Sequence, residues 1–165
     1  MRQNLYVFSL YHNPDLVNQI FYCVLPLMAA VQTEDIRASF LFVGDLNGHN
    51  REWLGSTTTN RHGVAAVDFA TVSGCDQLVV GPTHARGGTL DFLMTDVPDL
   101  VRVAVVAPIG NSDHFSLSAV ISMAHAVPLV GKFSSNIKST GIQSVVQYRI
   151  CPGVTFGLLT ILLRF

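Results

Sequence analysis

Cysteine, lysine and charge are all scarce in this sequence. Cysteine occurs three times, as Cys23, Cys75 and Cys151, an odd number at wide spacing. That suits neither a disulfide framework nor a zinc knuckle, and it points to a reducing compartment. No Asn-x-Ser/Thr sequon is present either. Long apolar runs are missing as well. Ile20 to Val31 is interrupted by Pro26, and Val154 to Leu163 is shorter still, whereas a membrane span needs ~20 residues. Near the N-terminus Asn4, Ser9 and His12 break the apolar run that a signal peptide would need. These absences predict an intracellular protein, nuclear or cytoplasmic, neither secreted nor membrane-bound.

What remains is apolar and unevenly charged. Hydrophobic residues make up 49% of the chain and charged ones only 13%, with a mean hydropathy of +0.41. Either the strands are buried on both faces or part of a larger core is missing. All eleven acids and six arginines precede residue 124. The rest has no acid and four bases: Lys132, Lys138, Arg149 and Arg164. Such a shift predicts a boundary near Met123, with a domain over 1–123 and an unrelated basic, apolar tail over 124–165.

Periodicity predicts strands at Leu5–Tyr11, Phe40–Val43, Gln77–Val80, Leu90–Thr95, Val101–Val106 and Phe115–Ser122. Asp15 can cap a helix whose stripe is Leu16, Ile20, Val24, Leu27 or Met28, and Val31, with Pro26 kinking or splitting it. A second helix is predicted over Gly63–Ser73 from Ala65, Phe69 and Val72, stopped by Gly74. The fold class is α/β with an antiparallel component, because short loops join the last strands.

Acids and imidazoles cluster in loops beside strands: Asp45, Asn47 and His49; Thr83 and His84; Asp91; then Ser112, Asp113 and His114. Adjacent residues cannot form a Ser-His-Asp triad, and no Gly-x-Ser-x-Gly elbow exists. An EF-hand fails because its sixth position would be Asn50 and its twelfth Ser56. No Walker loop or dinucleotide fingerprint occurs. Metal-assisted phosphoester hydrolysis uses the residue types that are present: a carboxylate to orient water, a histidine against developing charge, an acid behind it, and oxygens for a hard cation. Turn-forming and solvated roles for the same residues stay open at this point.

"FVGDLNGH", "PTHARGGTLDFLMTD" and "NSDH", in that order, resemble the second half of an endonuclease/exonuclease/phosphatase domain. More narrowly they resemble the apurinic-like endonuclease of non-LTR, LINE-type retrotransposon polyproteins. The resemblance covers about residues 4–123. It implies part of a four-layer α/β sandwich of the DNase I-like type and a DNA-nicking activity dependent on Mg²⁺ or Mn²⁺, with DNA as partner. It assigns Asp45 to the attacking water and Asn47 to a phosphate oxygen. His114 is assigned to the charged phosphate, Asp91 to orienting His114, Asp113 to the metal, and Thr83 and Tyr11 to the phosphate.

His49, His62 and His84 gain no role from the resemblance and read as loop residues. Trp53 reads as packing, and Arg51, Arg61 and Arg86 could meet DNA phosphates. The family's first half, with an early asparagine and a metal-binding glutamate, has no counterpart, since only 43 residues precede Gly44. Glu34 and Glu52 stand in the wrong context to replace that glutamate. The expectation is therefore an endonuclease domain without its N-terminal half. A non-enzymatic remnant is the alternative, and a phosphatase for inositol phosphates or lipid headgroups is a weaker one.

Overall fold

In the computed structural model, backbone is described for residues 4–12, 19–123, 126–129, 142–150 and 157–163, and side chains for 4–12 and 20–122. Strand β1 (Asn4–Tyr11) leads through helix α1 (Gln19–Glu34) to β2 (Ala38–Asp45), which lies parallel to β1. Helix α2 (Arg61–Ser73) and the short β3 (Asp76–Gln77) follow, then β4 (Asp91–Thr95), antiparallel to β2. β5 (Val101–Val106) and β6 (Ser116–Met123) pair antiparallel in a second sheet.

Alternation along β1, β2 and β4 sets the layers. Phe8, Leu10, Phe40, Phe42, Phe92 and Met94 face the helices and pack on Ile20, Val24, Met28, Ala66 and Phe69. The intervening residues Leu5, Val7, Leu41, Val43 and Leu93 face the other way, onto Val101, Leu117, Ala119 and Ile121. The first sheet is thus buried on both faces, and its strands are accordingly apolar almost throughout. Among the described residues the layers are helices, sheet, sheet; helices cover one face rather than the two of a four-layer sandwich.

Local details follow from composition, with some departures from expectation. Pro26 neither splits nor ends α1. The carbonyl that it leaves without an amide partner belongs to Tyr22, which is 78% exposed, so water can replace the lost bond. The proposed capping residue Asp15 and Leu16 lie outside the described residues. α2 begins two residues earlier than its periodicity suggests and buries His62, Gly63, Ala66, Phe69 and Ala70. Val72, expected on its apolar stripe, is exposed. Gly74 ends the helix in the left-handed conformation, its N–H donating to the Ala70 carbonyl. The strand expected at Gln77–Val80 contracts to two residues, because the Gln77 side chain itself bonds both the amide and the carbonyl of Val79. Trp53 packs against the helix-side core.

Three described strands beyond Met123 pair with the sheets. β7 (Ala126–Leu129) and β8 (Ile142–Ile150) extend the first sheet to the order β3-β4-β2-β1-β8-β7. β9 (Gly157–Leu163) completes the second as β5-β6-β9. Without these strands β1 and β6 would be edge strands with unpaired amides and carbonyls, which an apolar segment without acids can meet. Lys132, Lys138 and Cys151 lie outside the described residues.

Candidate active site

Three adjacent strands end in a row at one edge of the first sheet. Tyr11 is the register partner of Asp45, and Asp45 is the partner of Asp91. Two glycines make the row possible. Gly44, at φ 152°, runs so close to β1 that a Cβ there would sit 1.7 Å from the Leu10 carbonyl oxygen. Gly63, in the first turn of α2, would place a Cβ 2.0 Å from the His49 carbonyl oxygen.

Beyond Asp45 the chain folds back in an Asx turn. The Asn47 amide donates to Asp45 Oδ1 at 2.8 Å, and its side-chain Nδ2 donates to Asp45 Oδ2 and to the His12 carbonyl. Asn47 itself lies at positive φ, 48°, which asparagine tolerates better than most residues. Asn60, the N-cap of α2, accepts from the amides of Gly63 and His49 and donates to the Asn47 carbonyl. One side chain thereby ties the helix to the loop.

His114 reaches this row from the loop before β6. Its Nδ1 lies 3.0 and 3.2 Å from the two Asp91 oxygens, so the ring proton on Nδ1 points into the carboxylate and Nε2 is left for other partners. Asp91 is completely buried. Desolvation raises its pKa and that of Asp45, and the charge of Asp91 raises Asp45 further. Burial alone would lower His114; the hydrogen bond and charge of Asp91, with the charges of Asp45 and Asp113, outweigh it and hold the imidazole raised.

Asp113 sits on the exposed side of His114. Its own backbone amide, then the hydrogen bond from His84, keep it below the usual carboxylate range. The ligand-capable atoms of Asp45, Asp91 and His114 lie within 4.8 Å of one another, as do those of His84, Asp113 and His114. Two buried carboxylates held close together are a donor set that a hard divalent cation would neutralise, and the residues fit such an ion. Glu34 and Glu52 are exposed and belong to neither group.

Several residues are placed otherwise than expected. Thr83 is fully buried, and its hydroxyl accepts from the amides of Leu90 and Asp91. Its position offers support for Asp91 and not a surface for a phosphate. His62 is no loop residue; it is buried in the first turn of α2, its ring 4.2 Å from that of His12. His12, buried beneath the rim, is lowered to about 4 by desolvation, then by His62 and Arg61. His84 is paired with Asp113. Tyr11 is exposed at the rim, and Arg51, Arg61 and Arg86 are exposed. Asn60, an asparagine three residues before the expected helix start at Gly63, could have been read as its cap; His12 carried no such signal.

Two sheets face to face, with acids and an imidazole gathered at strand ends, define an α/β sandwich of the DNase I-like class. Residues 5–118 match the sequence model of a family described as endonuclease-reverse transcriptase, and the chain belongs to that family. Among solved structures, the endonuclease domain of TRAS1, a telomere-specific non-LTR retrotransposon, is similar in fold, with a TM-score of 0.50 at 19% identity. The match covers 85% of this chain and 52% of that one, so the chain spans about half the length of the TRAS1 domain. No curated protein matches the sequence. Among the described residues no helix is long and apolar enough to cross a membrane.

Proposed function

We propose that this site hydrolyses phosphodiester bonds of DNA as a metal-dependent nicking endonuclease of the retrotransposon type. The observation that carries the reading is the Asp45–Asp91–His114 group, whose outer members are 69 positions apart in sequence and whose ligand-capable atoms lie within 4.8 Å of one another. Asp45 orients the attacking water and takes its proton, a role suited to a buried carboxylate whose pKa is raised. His114 presents Nε2 to the phosphate as negative charge develops, while Asp91 fixes the tautomer and favours the charged ring. Asn47 steadies Asp45, and its Nδ2, whose two protons meet Asp45 and the His12 carbonyl, would give up one of these bonds to meet a phosphate oxygen; Tyr11 stands exposed at the rim, open to the same phosphate.

Among the described residues, Asp113, which the resemblance assigns to the metal, and the Asp45 and Asp91 carboxylates, which group separately around the same His114, would hold Mg²⁺ or Mn²⁺, which when bound supplies charge neutralisation at the phosphate. The resemblance assigns a further glutamate to the family's other half, and none stands at this rim among the described residues. Binding by these residues alone is therefore weak.

The test is plasmid nicking titrated with Mg²⁺, for the 165-residue chain and for the same chain fused to the glutamate-bearing half of a family member. Feeble nicking by the chain and strong nicking by the fusion are expected, with both lost in an Asp45→Ala, His114→Ala double variant. Equal, negligible activity in fusion and variant would make the chain a non-enzymatic remnant. Cleavage of inositol phosphates in preference to DNA would replace the substrate assignment.

A further inference from the structure

We propose that His84 is a positioning residue of this site, holding the Asp113 carboxylate and bracing the ring of His114 edge-on. The proposal rests on the functional reading above for what Asp113 and His114 do. It draws on a histidine of the "PTHARGG" segment to which neither the resemblance nor the proposed mechanism gives a task.

The local backbone makes His84 rigid. Thr83 and His84 amides both donate to the Gly88 carbonyl, at 2.9 and 3.0 Å, and the Gly87 amide closes the turn onto the His84 carbonyl. Gly87 takes the left-handed conformation this knuckle requires, with φ 89°. The knuckle is then fastened to the loop that carries Asp113 and His114. Ala85 N–H donates to the Asp113 carbonyl at 2.8 Å, and Phe115 N–H to the Thr83 carbonyl at 2.7 Å, so that His84 and His114 face each other in a single β-bridge.

The side chain is committed as firmly as the backbone. The Arg86 amide donates to His84 Nδ1 at 3.1 Å, which leaves Nδ1 as an acceptor and puts the ring proton on Nε2. Nε2 in turn lies 3.1 Å from Asp113 Oδ2 and donates to it. Both nitrogens are occupied, so His84 is not free to move a substrate proton. A metal at Nε2 would have to displace that proton and break the Arg86 bond. The ring also stands edge-on to His114, centroids 4.9 Å apart at 87°.

The arrangement matters because Asp113 is the exposed member. Its side chain is 67% exposed while that of His84 is 12% exposed. A carboxylate so open to water has many orientations; one bond from a fixed donor selects the orientation facing His114. A bond at such a surface contributes little to stability, so its effect belongs to the site and not to the fold. His114 is then held between two supports, Asp91 behind and His84 beside.

The variants His84→Ala and His84→Gln separate positioning from packing, since the glutamine amide can donate where Nε2 does. Nitrogen-15 NMR of the native chain at neutral pH is expected to show the His84 proton on Nε2. Mn²⁺ binding followed by electron paramagnetic resonance should weaken about tenfold in His84→Ala, as loss of an outer support commonly does. His84→Gln should stay within about twofold of native, with thermal midpoints unchanged in both. A proton on Nδ1, or Mn²⁺ binding in His84→Ala equal to native, overturns the proposal. So does a Zn²⁺-induced loss of the Nε2 proton at lower metal concentration than Mn²⁺ needs, which would make His84 a ligand. If the tautomer and the Mn²⁺ effects appear but neither the chain nor its fusion nicks DNA, the positioning stands and the nuclease reading falls.

Discussion

Acidification should destabilise this fold through His12, by an amount that the structure sets. His12 is 4% exposed beneath the rim, its Nδ1 has no hydrogen-bond partner among the described residues, and its ring lies against His62. Its pKa falls from 6.5 to about 4 in the folded chain. The unfolded chain therefore binds more protons than the folded one between these values. The contribution is complete above pH 6.5 and is lost as pH falls toward 4. At ~1.4 kcal/mol per unit this amounts to at most about 3.5 kcal/mol, a sizeable share of the roughly 5–15 kcal/mol of a typical domain. Other groups act in the opposite sense. Asp45, Asp91 and Asp96 are raised by desolvation, so acid relieves them and stability rises as pH falls through their range. His114, raised by Asp91 against its burial, contributes below the unfolded histidine value and loses that contribution as pH rises through the folded one.

The native curve is the sum of these, so the measurement is a difference. Urea unfolding followed by Trp53 fluorescence at about pH 7 and about pH 4 compares the native chain with His12→Gln, which keeps a polar group there but cannot titrate. The variant loses the ring contact with His62 at both pH values. Its deficit relative to native should shrink, or reverse, by roughly 2–3 kcal/mol on going to acid. A gap constant to within about 0.5 kcal/mol would refute the reasoning, since it would mean that His12 is as easily protonated folded as unfolded.

Gly44→Ala should abolish cooperative unfolding as seen by circular dichroism, because its Cβ would meet the Leu10 carbonyl at 1.7 Å in a strand that must pair there. Asn60→Ala should cost about 2 kcal/mol in urea unfolding, the upper end for a cap, since Asn60 Oδ1 serves both the Gly63 and His49 amides; Asn60→Asp should recover most of it. Asp91→Asn should lower the His114 pKa in a proton NMR titration, because the bond and charge that raise it are weakened. Nicking by the fused domain should fall with it, and an unchanged His114 titration would detach Asp91 from the histidine.

Much of the fold was legible because strand and helix periods are written directly in the chain. Leu5–Tyr11 and Val101–Val106 announce strands within a residue of those observed, and Gly74 announces the end of α2. The residue types of the acid and imidazole segments pointed to phosphoester chemistry, and their order carried the family resemblance. What the chain order could not state was which loops meet. Asp91 and His114 lie 23 residues apart, and their bond exists only because β4 is central and β6 belongs to the other sheet. Phase was also decided in three dimensions: α2 turns Ala66 and Ala70 inward and Val72 outward, because the Phe69 ring packs on Phe21 and Phe42. Thr83, assigned to the phosphate, is buried and bonds the Leu90 and Asp91 amides, and His84, read as a loop residue, acquires Asp113 from another loop. Composition set the elements and the chemistry on offer. Tertiary packing set burial, tautomer and charge, because each depends on neighbours that the sequence places far away.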